Sequence, residues 1–239
     1  MALDNELVNQ GNFLFRFRSY IPFILFPLII SYNYFNEIDV LILDNLMLAI
    51  CISAFGQLIR IFTIAFVPSN TSGRNTKKQT AKSLNSTGIY SLVRHPLYLG
   101  NYFILLGPFL LFPSILILIY TLLFWIYYER IMYAEENYLK NKFKEEFMNW
   151  AQKPSAFIPN FIGFIPPEGS FSFKRIIKRE YSTICGIVYM FIIIISSTSY
   201  MSNIPLSEID SMNEVFIINT IVYLSLRAYK KISIKKNNH

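Results

Sequence analysis

Charged residues are scarce in this chain. They make up 15% of its 239 residues, whereas a soluble domain usually carries about a quarter. Apolar residues account for 53% of the chain, and 22 residues are phenylalanine. Several apolar stretches approach the roughly 20 residues that a helix needs to cross a bilayer. This composition excludes an ordinary soluble globular protein and predicts an integral membrane protein.

Cysteine and histidine are nearly absent, with two residues of each type. Cys51 and Cys185 lie inside apolar stretches and show neither metal-type spacing nor a disulfide framework. We therefore expect buried thiols that act as small apolar residues, and no metal site. The first dozen residues are polar and of mixed charge, and no small-residue cleavage site follows, so we expect no cleaved signal peptide.

Lysine and arginine are missing from two long parts of the sequence, 19–59 and 180–226. The predicted connectors within these two parts are acidic, with Glu37, Asp39, Asp44, Glu208, Asp210 and Glu214. By the positive-inside rule, basic loops lie in the cytoplasm, which leaves these acidic loops outside. The net charge of +7 then sets the topology and attracts anionic lipid headgroups, rather than nucleic acid.

The apolar stretches predict an all-α, polytopic membrane fold with both termini in the cytoplasm. Four full spans are expected, at about 19–35, 46–67, 181–201 and 212–229. Residues 97–128 are too long for one span and short for two, and both their flanks are basic, so we expect a short helical hairpin turning near Pro113. An amphipathic helix over 129–152 and an irregular basic connector over 153–180 follow.

This pattern divides the chain into three parts. Residues 1–45 form an N-terminal anchor, the first span and then an acidic outer loop over 36–45. Residues 46–160 form a core, which includes a polar cytoplasmic loop over 68–93. Residues 161–239 form a two-helix membrane extension, which would pack on the core, form a homodimer face or shape a lipid entrance.

Unusual polar side chains gather at the predicted cytoplasmic boundary of the membrane. Arg60 lies one to two turns from the inner end of its helix, where an ionisable group is either functional or snorkels to the interface. The hairpin returns Glu135-Glu136 to the face that holds Arg94-His95. Taken singly, the glutamates are also compatible with solvated helix charge, His95 with an interfacial cap and the nearby tyrosines with an aromatic belt.

Two motifs carry these residues, one on each side of the hairpin. They read Gly88-x-Tyr90-x-x-x-Arg94-His95-Pro96-x-Tyr98-x-Gly100 and Arg130-Ile131-x-x-x-Glu135-Glu136-x-x-Leu139. In the second helix, both are preceded by Gly56-x-x-x-Arg60. Over about residues 46–160, the chain resembles the isoprenylcysteine carboxyl methyltransferase and phospholipid methyltransferase superfamily.

The resemblance implies a membrane-embedded methyltransferase that uses S-adenosylmethionine and methylates a lipid or a lipidated acceptor. The acceptor group would be a carboxylate, a phosphate or an amine. The cofactor would lie in a cytoplasm-facing pocket, to which the resemblance assigns Leu84, Tyr90, Arg94, His95, Pro96, Tyr98, Gly100, Glu135 and Glu136. It assigns catalysis and acceptor contacts to Glu135, His95, Arg60 and Arg130.

Elementary chemistry agrees with this assignment. Aromatic faces and a carboxylate hold a sulfonium cation, and Glu135 or Glu136 would accept hydrogen bonds from ribose hydroxyls. Arg94 and His95 are candidates to bind the cofactor's carboxylate. Arg60 or Arg130 would hold an anionic acceptor by a bidentate contact. An amine acceptor would need a general base, with Glu135 or His95 as candidates.

Two alternatives stay open. One is an NADPH-dependent reductase related to the membrane sterol reductases, which are similar in core fold. The other is a non-catalytic membrane protein such as a scaffold or transporter. A transporter would place ionisable groups near the bilayer midplane, whereas here they gather at one interface. The expected location is a bacterial inner membrane or a eukaryotic endomembrane, with the site facing the cytoplasm.

Overall fold

The computed structural model describes residues 2–18, 20, 27, 31, 35, 42–68, 79–201 and 206–236. Within these ranges, the regular secondary structure is helical. One isolated parallel β-bridge joins Val93 and Ser155. The α-helices are α1 (Ala2–Phe17), α2 (Ile42–Phe66), α3 (Pro96–Phe109), α4 (Ser114–Phe143), α5 (Glu145–Ala151), α6 (Phe173–Met201) and α7 (Leu206–Lys236). A short 3₁₀ helix, Gly88–Ser91, precedes α3. The all-α prediction is confirmed.

Three of the described helices are long and apolar enough to cross a membrane. These segments are Asn45–Phe66, Ser114–Phe143 and Phe173–Ser197. They confirm an integral membrane protein, while the number of spans and the cytoplasmic termini stay predictions. The first predicted span at 19–35 and the outer loop at 36–45 lie largely outside the described residues, as do residues 69–78 of the cytoplasmic loop.

The predicted hairpin is present as α3 and α4. Pro96 is the first residue of α3, where its missing N–H leaves no hydrogen bond unmade, and Pro113 directly precedes α4. The second arm continues directly into the predicted amphipathic helix, so that α4 is 30 residues long. The prediction that this helix runs unbroken to 152 is wrong. Lys144 adopts a left-handed backbone with φ 47° and donates its N–H to the Lys140 carbonyl, which ends α4 before α5 begins.

The extension is more helical than the sequence predicted. α6 begins at Phe173, so the connector predicted to continue to 180 ends earlier. Ile176 and Glu180 lie four residues apart on one buried face of α6, and this packing extends the helix. The predicted acidic outer loop is helical from Leu206 onward, because neither glycine nor proline interrupts residues 206–236.

Small residues let α2 and α3 approach each other closely. A Cβ added at Gly56 would lie 2.5 Å from the Gly100 carbonyl oxygen, and one at Gly107 would overlap Ser53. The Ser53 hydroxyl donates a 2.9 Å hydrogen bond to the Ile104 carbonyl across the same interface. Small residues of this kind are typical of helix pairs within membranes. The contact fixes the position of α2 beside the hairpin.

A stack of aromatic rings fills the space between α3 and α4. The ring centroids of Phe109 and Tyr120 are 4.5 Å apart, and those of Phe124 and Tyr128 are 4.1 Å apart. α1 packs against the outer side of α4, where the Tyr127 hydroxyl donates a 2.8 Å hydrogen bond to the Leu14 carbonyl. Neither helix of the hairpin is therefore held by its apolar side chains alone.

The two cysteines differ in environment. Cys185 is buried, as predicted. Cys51 is exposed, so the prediction of a buried thiol is wrong there. α2 uses its small-residue face, which includes Ser53 and Gly56, for contact with α3, and Cys51 lies on the surface that remains outside.

Gly56→Leu should separate α2 from α3. The new side chain meets backbone atoms of Gly100 and Ile104, which no rotamer change relieves. Overpacking of this kind costs about 1–3 kcal/mol, so we expect the unfolding temperature in detergent to fall by about 5 °C or more. Gly186→Leu is the matched control, because an added Cβ there has no neighbour within 4 Å. Equal unfolding temperatures for the two variants would contradict the close contact.

Candidate functional site

A cavity of about 960 Å³ lies between α2, α3, α4 and α6. This volume is at the upper end of ordinary ligand pockets. The wall includes residues of both sequence motifs, namely Tyr90, Arg94, His95, Pro96, Tyr98, Glu135, Glu136 and Leu139. It continues along a stripe of α6 that consists of Arg179, Glu180, Ser182, Thr183, Gly186, Ile187, Tyr189, Met190 and Ile193. The cavity is therefore polar beside the motifs and the first turns of the stripe, and largely apolar beside Gly186, Ile187, Met190 and Ile193.

The first motif is held by the connector that follows α5. Gly88 has φ +63°, which favours glycine, and its N–H donates a 2.8 Å bond to the Ile165 carbonyl. The N–H groups of Arg94 and His95 donate to the carbonyls of Ser155 and Ala156, at 2.9 Å and 3.2 Å. The connector therefore fixes the backbone of the motif at both ends.

The Arg94 guanidinium joins three segments of the chain. Its Nε donates a 2.8 Å bond to Glu136 Oε1. Its Nη1 donates to the carbonyls of Ala151 and Pro154, at 2.9 Å and 2.8 Å. Arg94 lies in the cavity wall as predicted, but much of its donor capacity is used to hold the connector to α4.

His95 is buried between the two adjacent glutamates of α4. Its Nε2 lies 2.9 Å from Glu136 Oε1, and its Nδ1 lies 3.7 Å from Glu135 Oε2. The imidazole also stacks on Tyr98, with ring centroids 5.7 Å apart and planes at 18°. The structure therefore brings together the histidine of one motif and both glutamates of the other, as the hairpin predicted.

Tyr90 presents a phenol to the polar part of the cavity. Desolvation raises the pKa of Tyr90 well above its usual range, and the negative charge of Glu135 acts in the same direction. The phenol therefore stays protonated at neutral pH and remains a hydrogen-bond donor. The Tyr90 carbonyl accepts a 3.2 Å bond from Trp150 Nε1, which ties α5 to the same corner.

Leu84 and Pro96 also lie in the cavity wall, whereas Gly100 does not. Gly100 faces α2, where an added Cβ would lie 2.5 Å from Arg60 Cγ and 2.8 Å from the Gly56 carbonyl oxygen. Its place in the motif is therefore explained by the contact between α2 and α3.

Arg60 lies in the cavity wall and makes a bidentate ion pair that the sequence analysis missed. Its Nε and Nη2 donate to the two carboxylate oxygens of Glu180, both at 2.8 Å. Its Nη1 donates a 2.7 Å bond to Asn101 Oδ1. The fork that was predicted for an anionic acceptor is thus occupied by a side chain of α6. The available sequence signal was that Glu180 is the one acidic residue between Glu168 and Glu208.

Arg130 is not brought to the other predicted residues. Its Nε donates a 2.9 Å bond to Gln10 Oε1 of α1, and its Nη1 donates to the Ile126 carbonyl at 2.8 Å. It lines a separate groove between α1 and α4. Among the described residues, histidine, cysteine and carboxylate side chains form no group of three that is able to hold a metal ion.

Comparison with known proteins agrees with the two motifs. Residues 45–146 match the phospholipid methyltransferase family model. A protein-S-isoprenylcysteine O-methyltransferase from Tribolium castaneum is 28% identical over 124 residues, which are 51% of this chain and 43% of that protein. One from Saccharomyces cerevisiae is 33% identical over 85 residues, which are 35% of this chain and 36% of that protein.

The resemblance to integral membrane methyltransferases, predicted from the motifs, is confirmed by these matches. The matched part of the chain spans less than half the length of either relative. No solved structure gives a significant match. The family match ends at residue 146, so α6 and its stripe of cavity residues lie beyond it.

Arg94→Lys should loosen the connector. Lysine lacks the planar fork that reaches Glu136, Ala151 and Pro154 together, so at least one buried partner loses its donor. An unsatisfied buried group costs about 1–3 kcal/mol, so we expect the unfolding temperature to fall by about 5 °C. Arg16→Lys is the matched control, because Arg16 is exposed on α1. An unchanged unfolding temperature for Arg94→Lys would refute the role of Arg94 in holding the connector to α4.

Proposed function

We propose, on the premise that residues 45–146 belong to the integral membrane methyltransferases, that this chain is an S-adenosylmethionine-dependent methyltransferase acting on a lipid or lipidated acceptor. The observation that carries the proposal is the cavity. It joins a polar region built by the two motifs to an apolar region along α6. A polar cofactor and a lipid-linked acceptor need these two environments side by side.

The polar residues fit the chemistry of S-adenosylmethionine. This cofactor, when bound, supplies a methyl group on a cationic sulfonium. Glu135 is one-third exposed to the cavity and supplies a carboxylate for the sulfonium or for ribose hydroxyls. The faces of Tyr90 and Tyr98 add aromatic surface that attracts cations. Four arginines among the described residues line the cavity, and two of them, Arg94 and Arg60, are already bound to carboxylates, which leaves fewer cations for the phosphates of NADPH.

The main role of His95 and Glu136 is to position Glu135, and direct contact with a ligand is secondary. Glu136 Oε1 accepts from both Arg94 and His95, which holds the imidazole with its other nitrogen toward Glu135. The ring stacked on Tyr98 then forms a rigid wall. Fixed groups of this kind contribute to rate by alignment and by exclusion of water.

The acceptor would enter along α6. The two relatives are named for isoprenylcysteine, which indicates a prenylated cysteine, whose carboxylate is already ionised and needs no base. The family name indicates a phospholipid, and the amine of such a lipid would have to lose a proton to Glu135 or His95. The positive-inside rule supports a cytoplasmic position for the polar region, because the loops beside it are basic. Of the two acceptors, we favour the carboxylate of a prenylated cysteine.

Titration with S-adenosylhomocysteine tests the cofactor. We expect the purified protein to bind it and not NADPH, and we expect Glu135→Gln and His95→Ala each to weaken binding about tenfold or more, because each removes a group of the polar wall. Glu145→Gln is the matched control, since Glu145 is exposed on α5. Binding of NADPH alone by folded protein would favour the reductase, and full affinity in both site variants would refute the assigned pocket.

Gly186→Leu tests the apolar region. Gly186 lines the cavity, and an added side chain meets open space rather than protein, so it should take up room that an acceptor needs. We expect the KM for an S-farnesylcysteine acceptor to rise about tenfold, while the affinity for S-adenosylhomocysteine stays within about twofold. Ile184→Phe is the matched control, because Ile184 is exposed on the outer face of α6.

The labelled product identifies the acceptor atom in the same assay. A methyl ester releases methanol in base, whereas a methylated phospholipid amine does not. An unchanged KM in Gly186→Leu would show that the acceptor does not pass along this part of α6.

A further inference from the structure

We propose that Glu180 is a positioning residue, which fixes the Arg60 guanidinium so that one N–H faces the acceptor. This inference rests on the proposed methyl transfer and extends it to a residue beyond the family match. Glu180 comes from α6, whereas Arg60 comes from α2 within the matched segment. The active arrangement therefore needs the extension as well as the core.

The contact between Arg60 and Glu180 is a bidentate ion pair in which every carboxylate oxygen accepts a hydrogen bond. Both Glu180 oxygens accept from Arg60, each at 2.8 Å, and Gln57 Nε2 donates a third bond to Glu180 Oε2 at 3.1 Å. The Glu180 side chain has no exposed surface, whereas 12% of the Arg60 side chain is exposed. A bidentate pair fixes the plane of a guanidinium as well as its position. Glu180 thus determines how Arg60 is turned in the cavity wall.

The remaining donors of Arg60 point to α3. Nη1 donates to Asn101 Oδ1 at 2.7 Å and to the Leu97 carbonyl at 3.5 Å. Asn101 in turn donates to the Tyr128 hydroxyl at 3.3 Å. The stem of Arg60 is also confined, because Gly100 packs directly against it. The guanidinium is therefore fixed among α2, α3 and α6.

A count of the N–H groups shows what is left for an acceptor. Arginine has five, and partners among the described residues take four of those on Arg60, two on Glu180 and two on α3. One N–H of Nη2 remains. Since Glu180 neutralises the charge, an acceptor would meet a neutral pair that offers a single hydrogen bond. Such a site orients a carboxylate for reaction without binding it as tightly as a bare cation would.

Stability alone is a weak explanation for the pair. A buried ion pair often contributes no more than well-packed apolar residues, since both charges must leave water. The orientation of a group in the cavity wall, in contrast, affects catalysis strongly, and a displacement of about 1 Å can cost about 100-fold in rate. The position of the pair at the cavity, rather than in the core, is what favours a role in the reaction.

Glu180→Gln tests the role, because it keeps the shape and removes the charge. We expect kcat/KM for the farnesylcysteine acceptor to fall about 10- to 100-fold, with the affinity for S-adenosylhomocysteine within about twofold of wild type. Arg60→Lys should lose a similar factor, since lysine has no fork. The double variant should be no worse than Arg60→Lys alone, because Glu180 acts through Arg60. Glu214→Gln, an exposed carboxylate of α7, is the matched control.

A charge-reversed pair separates positioning from structure. Arg60→Glu combined with Glu180→Arg should recover unfolding temperature relative to the single changes, yet kcat/KM should stay low, because the cation has moved to α6. If the reversed pair recovers both, the contact is merely structural and the proposal is wrong. Wild-type kcat/KM in Glu180→Gln, or additive losses in the double variant of Glu180→Gln and Arg60→Lys, would also overturn it.

The experiments distinguish a failure of the proposed methyltransferase from a failure of the role of Glu180. If wild-type protein binds no S-adenosylhomocysteine and transfers no methyl group, the methyltransferase itself is refuted, and the role of Glu180 falls with it. If wild type is active and Glu180→Gln is equally active, the role of Glu180 alone is refuted.

Discussion

One carboxylate oxygen connects the two halves of the polar region. Oε1 of Glu136 accepts hydrogen bonds from Arg94 Nε at 2.8 Å and from His95 Nε2 at 2.9 Å. Without that shared acceptor, the guanidinium and the imidazole of one motif would face the two carboxylates of the other with no fixed geometry. The turn before Pro113 determines that the segments meet, and Glu136 determines how they meet. The orientation of His95 toward Glu135, and the stacking of Tyr98, depend on this contact.

Local rules in the sequence were sufficient for part of this arrangement. Proline at the start of one helix and at the turn before the next predicted the hairpin, and charge on both flanks predicted that its ends return to one side. They were not sufficient for Glu180, because its partner Arg60 is 120 residues away and no local spacing relates the two. The break at Lys144 was also missed, since a lysine gives no signal for a left-handed backbone.

The two sides of the cavity have different origins in the sequence. Motif residues on α3 and α4 lie inside the segment shared with the phospholipid methyltransferase family, whereas the stripe on α6 lies beyond it. Arg130 shows that a position in a motif does not by itself determine what a side chain contacts. It occupies the expected place in the sequence, yet its guanidinium contacts Gln10 and the Ile126 carbonyl at the rear of α4. A motif fixes which residues are present, and the packing around it decides what they contact.

The wall formed by α6 has a consequence for how such proteins diversify. The face that would hold the methyl donor and the face that would meet the acceptor are separate stretches of chain, joined by the connector at 152–172. Under the proposed function, substitutions along α6 would change the acceptor without altering the motif residues of α3 and α4 in the cavity wall. Two proteins that share the matched segment would then not need to share an acceptor, because α6 lies beyond that segment.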